Sequence, residues 1–275
     1  MLQFWKMHGL GNDFIVIDDR DGKIGNKEAV QLARKLCERR LAVGADGLLL
    51  LSNSSTADSR MRIFNADGSE AEMCGNGIRC LAKYCYEKGI IRKTEFTVET
   101  LAGSKQVWLT VKDQLVPEVK VDMGIPEWER SKIPMIGKGM CINGDLRVDN
   151  ENYKITCLSL GNPHCVIFVE DVDAFPVQFV GPKIESLRTF PRRTNVEFVQ
   201  LLRKDELKVR VWERGCGETL ACGTGACAAA VTANRLGKVG SRVSVNLAGG
   251  ELQIEITEHV LMTGPAEKVF EGELF

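Results

Sequence analysis

The sequence predicts an α+β fold of two pseudo-symmetric domains, each a mostly antiparallel sheet wrapped around a central helix, with the active site in the cleft between them. Three observations lead there. Glu70-Ala-Glu-Met-Cys74-Gly75-Asn76-Gly77 and Glu218-Thr-Leu-Ala-Cys222-Gly223-Thr224-Gly225 share one pattern, and their cysteines are 148 residues apart. Leu10-Gly11-Asn12 followed by Val16-Ile17 returns as Leu160-Gly161-Asn162 followed by Val166-Ile167, an offset of 150. Both halves also run in one order: strands, the Cys-Gly-x-Gly turn, one helical stretch, then alternating strands.

The first half opens with a turn at Gly9-Leu-Gly-Asn12 and a strand over Phe14–Asp18. Asn26 is placed to cap a helix reaching about Arg40, because Val30, Ala33, Leu36 and Cys37 recur at helical spacing. Leu48–Leu51 reads as a buried strand and Arg60–Phe64 as an alternating one. Ile78–Lys88 reads as a helix stopped by Gly89. From Thr94 to Asp122 the pairs Phe96/Val98, Val107/Leu109/Val111 and Val119/Val121 alternate, as in an antiparallel meander.

In the second half, Tyr153–Leu160, Cys165–Val169, Asn195–Leu202 and Leu207–Trp212 read as strands. Ala226–Leu236 reads as an Ala-rich helix ended by Gly237, followed by strands at Arg242–Leu247, Leu252–Ile256 and Val260–Met262. Pro126 and Pro134 place the inter-domain crossing in Gly124–Ile136. Lys268–Phe275 is expected to return to the first domain as a strand. The expected domains are therefore 1–123 with 268–275, and 124–267.

At 275 residues the chain is long enough for two domains. A net charge of −1 gives no footprint for nucleic acid or an anionic membrane. No apolar run approaches the roughly 18 residues of a membrane span. The start, Met1-Leu-Gln-Phe-Trp-Lys6, does not read as a signal peptide. The expectation is a cytoplasmic protein acting on a small molecule. Ten cysteines and three histidines raise the question of a metal. No cysteine pair has Cys-x-x-Cys spacing, so none is expected. Cys37, Cys85, Cys141, Cys157 and Cys165 read as small apolar packing residues.

The chemistry concentrates at the two turns. A glycine-rich turn opening a helix favours an anion through exposed N–H groups and the helix dipole. Neither turn carries a nucleotide phosphate-loop signature, so the anion is a small carboxylate or the thiolate itself. A helix start lowers a thiol pKa from about 8.5 into the range of roughly 3.5–7.5, which suits acid–base work. Two matched thiols fit proton transfer at a carbon served from both faces. His164 follows the repeated turn at Gly161-Asn162-Pro163, and Glu213-Arg214 precedes the Cys222 turn, with Asn65 at the place equivalent to Glu213. Arg214 could hold a carboxylate in bidentate fashion.

These motifs resemble the diaminopimelate epimerases. The resemblance rests on Gly9-Leu-Gly-Asn-Asp-Phe14, Phe64-Asn-Ala-Asp-Gly-Ser69, Cys74-Gly-Asn-Gly-Ile-Arg-Cys80, Gly161-Asn-Pro-His164, Glu213-Arg-Gly-Cys-Gly-Glu218 and Ala221-Cys-Gly-Thr-Gly-Ala-Cys227. It implies a cofactor-independent epimerase that interconverts LL- and meso-diaminopimelate, in bacterial lysine and cell-wall synthesis, as a homodimer. It implies that Cys74 and Cys222 are the catalytic acid/base pair, assisted by His164 and Glu213. Asn12, Asn65, Asn162, Asn195, Glu213 and Arg214 would contact substrate. Gly75, Asn76, Gly223 and Thr224 would receive the reacting carboxylate through helix-start amides. Some members carry Gln in the turn where this chain has Gly44-Ala-Asp-Gly47, so no side-chain contact carries over to Gly47. Two other readings stay open on the residues alone. One is a two-thiol racemase acting on proline or hydroxyproline, and the other is a disulfide switch built from Cys74 and Cys222.

Overall fold

The computed structural model describes residues 2–274; Met1 and Phe275, which end the expected first domain, lie outside the described residues. The chain forms two compact units, Met1–Asp122 with Thr263–Phe275, and Met123–Met262.

In the first unit the order is β1 (Leu2–Gly9), β2 (Asn12–Asp18), α1 (Asn26–Leu36), β3 (Gly47–Ser52), β4 (Ser59–Asn65), β5 (Glu70–Ala71), α2 (Gly75–Glu87), β6 (Glu95–Thr100), β7 (Gly103–Lys112) and β8 (Leu115–Gly124). The second follows with β9 (Cys141–Val148), β10 (Glu151–Ser159), β11 (Pro163–Phe168), α3 (Val177–Glu185), β12 (Asn195–Arg203), β13 (Glu206–Glu213), β14 (Gly217–Thr219), α4 (Gly223–Arg235), β15 (Arg242–Leu247), β16 (Gly250–Ile256) and β17 (Val260–Pro265). The passage from Met262 to Thr263, where the chain changes unit, falls inside β17. The last strand, β18 (Glu267–Leu274), pairs with β1.

The duplication reaches every element. β1 and β2 form an antiparallel pair, β2 runs parallel to β3, and β3 is antiparallel to β4. β10, β11, β12 and β13 repeat that sequence of pairings. β4 meets short β5 and parallel β6, as β13 meets short β14 and parallel β15. The parallel step in each half spans a helix, α1 or α3, because parallel neighbours need a long crossover. β9 lies on β10 as β18 lies on β1, so the equivalent outer strands come from opposite ends of the repeat.

Each unit has one helix inside its sheet and one outside. Gly75 through Cys85 of α2 and Gly223 through Ala233 of α4 are buried on all faces, which marks helices enclosed by sheet. Alanines at 226, 228, 229, 230 and 233 give α4 a narrow profile. The outer helix α1 buries only Ala29, Ala33 and Leu36, over a core that includes Ile15, Ile17, Leu48 and Leu50. α3 covers Val177 and Ile184 over Cys157, Ile167, Val196 and Phe198.

Several sequence expectations need correcting. The helix placed at 26–40 stops at Leu36, and Gly25 rather than Asn26 is its N-cap. The inner helices begin three residues earlier than read, at Gly75 and Gly223. β1, β9 and α3 were not expected at all.

Gly181 shows how tightly α3 is fitted. A Cβ there would lie 2.6 Å from Trp212 Cγ and 2.7 Å from Trp212 Cβ. Those atoms sit close to the β13 backbone, and the indole N–H is held by Glu185 Oε2 at 2.7 Å. The ring therefore cannot swing away cheaply. The overlap in Gly181→Ala should cost about 2–3 kcal/mol, so that after the roughly 1 kcal/mol of helix propensity it gains stability should fall by about 1–2 kcal/mol. Thermal unfolding checks this; an unchanged or raised Tm would contradict it.

Candidate active site

Cys74 and Cys222 occupy the same local position in their units. Each is the N-cap of the inner helix with extended backbone, φ −140° and ψ 121° for Cys74, φ −118° and ψ 112° for Cys222. Each sulfur accepts from an amide in the first helical turn, Gly77 N and Gly225 N, both at 3.4 Å. First-turn amides have no acceptor within their helix, so the sulfur takes the place usually held by a Ser, Thr or Asp oxygen. The motif glutamates turn out to be scaffold. Arg62 Nε donates to Glu70 Oε1, and Arg210 Nε donates to Glu218 Oε1, both at 2.7 Å. These pairs fasten the short strands β5 and β14 that lead into the two cysteines.

In the first unit, Asn12, Cys74 and Asn76 converge. Asn12 Oδ1 accepts from Asn76 Nδ2 at 3.3 Å and from the Cys74 thiol at 3.6 Å. Its amide nitrogen donates to Asp46 Oδ2 at 2.9 Å. Asp46 is itself gripped by Arg39 at 2.8 Å, and Arg39 also binds Asp13, which Lys6 contacts at 2.6 Å. Burial pushes the Asp13 carboxyl up, but hydrogen bonds from Arg39 and Lys6 outweigh it and bring the pKa down to about 2. On the other side, the fully buried Arg79 holds Asn76 Oδ1 at 2.8 Å, Gly75 O at 3.1 Å and Pro265 O at 3.0 Å. Asp46 and Arg79 were missed in the sequence. Asn65 ends β4 opposite Gly47, is exposed, and donates to Ser69 Oγ at 2.9 Å.

In the second unit, Asn162, His164, Asn195, Glu213, Cys222 and Thr224 gather at the ends of β11, β12 and β13 and the start of α4. His164 is fully buried. Its Nδ1 lies 2.7 Å from Glu197 Oε1 and its Nε2 lies 2.8 Å from Asn162 Oδ1. Asn162 Nδ2 donates to Thr224 Oγ1 at 3.1 Å, and that hydroxyl lies 3.4 Å from Cys222 Sγ. Asn195 is tied to main chain at both ends of its amide, donating to Pro163 O at 2.8 Å and accepting from Arg214 N at 2.9 Å. Glu213 takes the Thr219 hydroxyl and sits against Cys222.

The electrostatics overturn one expectation. The Cys222 thiol is pushed well above its ordinary value, not below it. Burial is the main cause and the neighbouring Glu213 charge adds to it; the Thr224 hydroxyl and Gly225 amide pull the other way and lose. Burial likewise raises Glu213, against hydrogen bonds from Thr219 and Cys222, and raises Glu197, against its contact with His164. A helix start lowers a thiol, but burial away from water raises it, and at Cys222 burial is the larger effect. Cys222, 6% exposed, lacks the water.

The diaminopimelate epimerase family profile matches residues 4–129 and 156–269. A diaminopimelate epimerase from Pelotomaculum thermopropionicum is 55% identical over 99% of this chain and 98% of its own. One from Moorella thermoacetica is 53% identical over 99% of both. Among solved structures, a probable proline racemase from Agrobacterium radiobacter K84 shares the fold, with a TM-score of 0.75 at 16% identity over 100% of this chain and 93% of that one.

Proposed function

Because the chain belongs to the diaminopimelate epimerase family, we propose that it interconverts LL- and meso-diaminopimelate in lysine and peptidoglycan precursor synthesis, without a cofactor, using Cys74 on one face of the α-carbon and Cys222 on the other. The observation that carries the two-base reading is the matched capping geometry, with each sulfur 3.4 Å from the amide three residues on. One site needs one acid/base; a pair held alike in duplicated units suits a carbon that must lose a proton from one side and gain one on the other.

On this reading, one cysteine is a thiolate and the other a thiol at the start of turnover. The thiolate takes the α-proton, breaking C–H and forming S–H. The opposite thiol then gives its proton to the other face of the carbanion. The enzyme ends with the two protonation states exchanged. The intermediate's charge spreads onto the substrate carboxylate, and the first-turn amides around Gly75, Asn76, Gly223 and Thr224 are suited to receive it. Glu213, placed against Cys222, manages that sulfur's proton. The raised thiol of Cys222 suits the proton-donating state. The two compact units serve as the two epimerase domains, and the working form is taken, on the resemblance alone, to be a cytoplasmic homodimer.

The test is turnover of LL-diaminopimelate in deuterium oxide, with EDTA present and no cofactor added. Product should carry deuterium at the inverted carbon while the other α-carbon keeps its hydrogen. Product free of deuterium, or activity that a chelator abolishes and metal restores, would refute the reading. Proline or hydroxyproline turned over as well as diaminopimelate would favour the racemase alternative, for which the 16% identity carries only the fold.

A further inference from the structure

Four contacts in the second unit run end to end from Cys222 to a residue that the sequence reading passed over: Cys222 Sγ to Thr224 Oγ1, Thr224 to Asn162, Asn162 to His164, and His164 to Glu197. Glu197 and His164 are both fully buried. Glu197 sits in β12 among Val196, Phe198 and Val199, where a carboxyl needs a reason to be. Its Oε1 is also 3.0 Å from where a Cβ on Gly225 would lie, and that same Cβ would be 3.3 Å from Cys222 Sγ. A side chain at 225 would crowd both ends of the chain of contacts.

The contacts have a direction. An amide accepts at its oxygen and donates at its nitrogen. With Asn162 nitrogen donating to Thr224, its oxygen faces His164, so His164 Nε2 must carry hydrogen. Thr224, having accepted from Asn162, is left to donate its own hydrogen to the sulfur. Every donor thus points toward Cys222, which favours the thiolate. Reversing the amide reverses the whole chain and leaves Thr224 donating to Asn162 instead. What decides between the two is the proton on the far side of the ring. A pair that holds the extra proton, as an imidazolium beside a carboxylate or as a Glu197 O–H donating to a bare Nδ1, keeps hydrogen on Nε2. With one proton fewer, an ionised Glu197 accepts from Nδ1–H of a neutral ring, Nε2 is bare and the chain reverses.

We propose that Glu197 is a positioning residue that fixes the protonation of His164 and thereby turns the Thr224 hydroxyl toward Cys222. The proposal rests on Cys222 being an acid/base residue, but its test reads sulfur ionisation without turnover, so it can fail while the epimerase reading stands, or the reverse. The titratable groups facing this sulfur within its unit are Glu213 from β13, Glu197 from β12 and His164 from β11. Through space alone, the Glu197 charge disfavours the thiolate. Removing it would then speed alkylation of Cys222, whereas loss of the relay would slow it. The sign therefore separates the two effects.

The experiment measures iodoacetamide labelling of Cys222 by peptide mass spectrometry at one pH, with Cys74 in the same protein as the internal reference. Glu197→Leu should slow Cys222 labelling roughly tenfold, the worth of one hydrogen bond to a charged group. Thr224→Val should slow it equally, and the double variant no further, because both act on one chain. Glu197→Gln, whose amide can donate to Nδ1 in place of the acid, should stay within about threefold of wild type. Unchanged or faster labelling in Glu197→Leu, loss in Glu197→Gln equal to that in Glu197→Leu, or multiplied losses in the double variant would each overturn the proposal. Should Glu197→Leu fail to fold, the wild type still decides. With three histidines in the chain, 15N NMR can assign His164, and Nε2 should carry hydrogen at the pH of the labelling experiment. A bare Nε2 would end the proposal.

Discussion

Cys74→Ala and Cys222→Ala should each lower kcat by on the order of 10²–10⁴, the worth of a positioned acid or base. The loss should come with little change in fold. Each sulfur caps a helix, yet sulfur is a weak acceptor and its amide contact is 3.4 Å long, so the cap contributes no more than about 1 kcal/mol. Circular dichroism and Tm should stay close to wild type while turnover collapses in both directions. Near-native turnover by either variant would remove that cysteine from the reaction. A loss at Cys222 alone would leave a one-base enzyme.

The second large effect is discrimination against L-lysine, which has the same carbon chain but lacks the distal carboxylate. A pocket built to pair a second amino-acid head holds polar groups that an analogue without that head leaves buried and unmatched. Arg214 is the cation proposed for the distal carboxylate. Its main chain is already pinned through Asn195 at 2.9 Å, so the guanidinium projects from a fixed base. kcat/KM for lysine should fall about 10⁴-fold or more below that for LL-diaminopimelate. Arg214→Lys should lose most of the native kcat/KM, since an ammonium cannot reproduce the two-pronged grip. Comparable turnover of lysine by the wild type would show that Arg214 is misassigned.

The strands most legible in the sequence were those with a simple pattern. Leu48–Leu51 is an apolar run because β3 is buried from Gly47 to Leu51, and Arg60–Phe64 alternates because β4 is covered on one face. The missed elements break such patterns for physical reasons. β1 has Lys6 in its buried stretch, neutralised by Asp13 from the next strand, which no local window reveals. β9 contains Asn143 at φ 51° followed by Gly144, a turn signature inside a strand that carries a register shift. α3 has Gly181 and Pro182 in its middle and no side-chain cap, so every local rule argues against a helix. It forms because the fold repeats α1 there. The inner helices begin earlier than their apolar pattern implies because their Gly-x-Gly residues look like a turn while serving as the first helical turn.

Within the candidate site, the two cysteines and the pair Asn12 and Asn162 are legible through their repetition, while Asn76 and Asn195 come only from the family resemblance. Glu197 and Arg79 were not legible in that way, since neither belongs to the repeated pattern. A usable signal was present all the same. Glu197 stands at an inward position in Asn195-Val-Glu-Phe-Val, and Arg79 stands in a helix buried on every face. A charge in either setting implies a partner. The expected low thiol pKa at Cys222 failed for a related reason: sequence shows the helix start but not how completely water is excluded.

The interleaving of the two units sets an order for synthesis. The second unit is one continuous stretch, Met123–Met262. The first needs residues made at opposite ends of the chain, because β18 lies along β1 from Leu2↔Leu274 to His8↔Glu267 and buried Arg79 takes the carbonyl of Pro265. On a ribosome adding roughly 5–20 residues per second, the N-terminal half waits about seven to thirty seconds for its closing strand. Until then β1 offers an unpaired edge and Arg79 lacks one of its acceptors. The half translated first is thus the half completed last, and a nascent chain of this protein is most in need of protection at its own beginning.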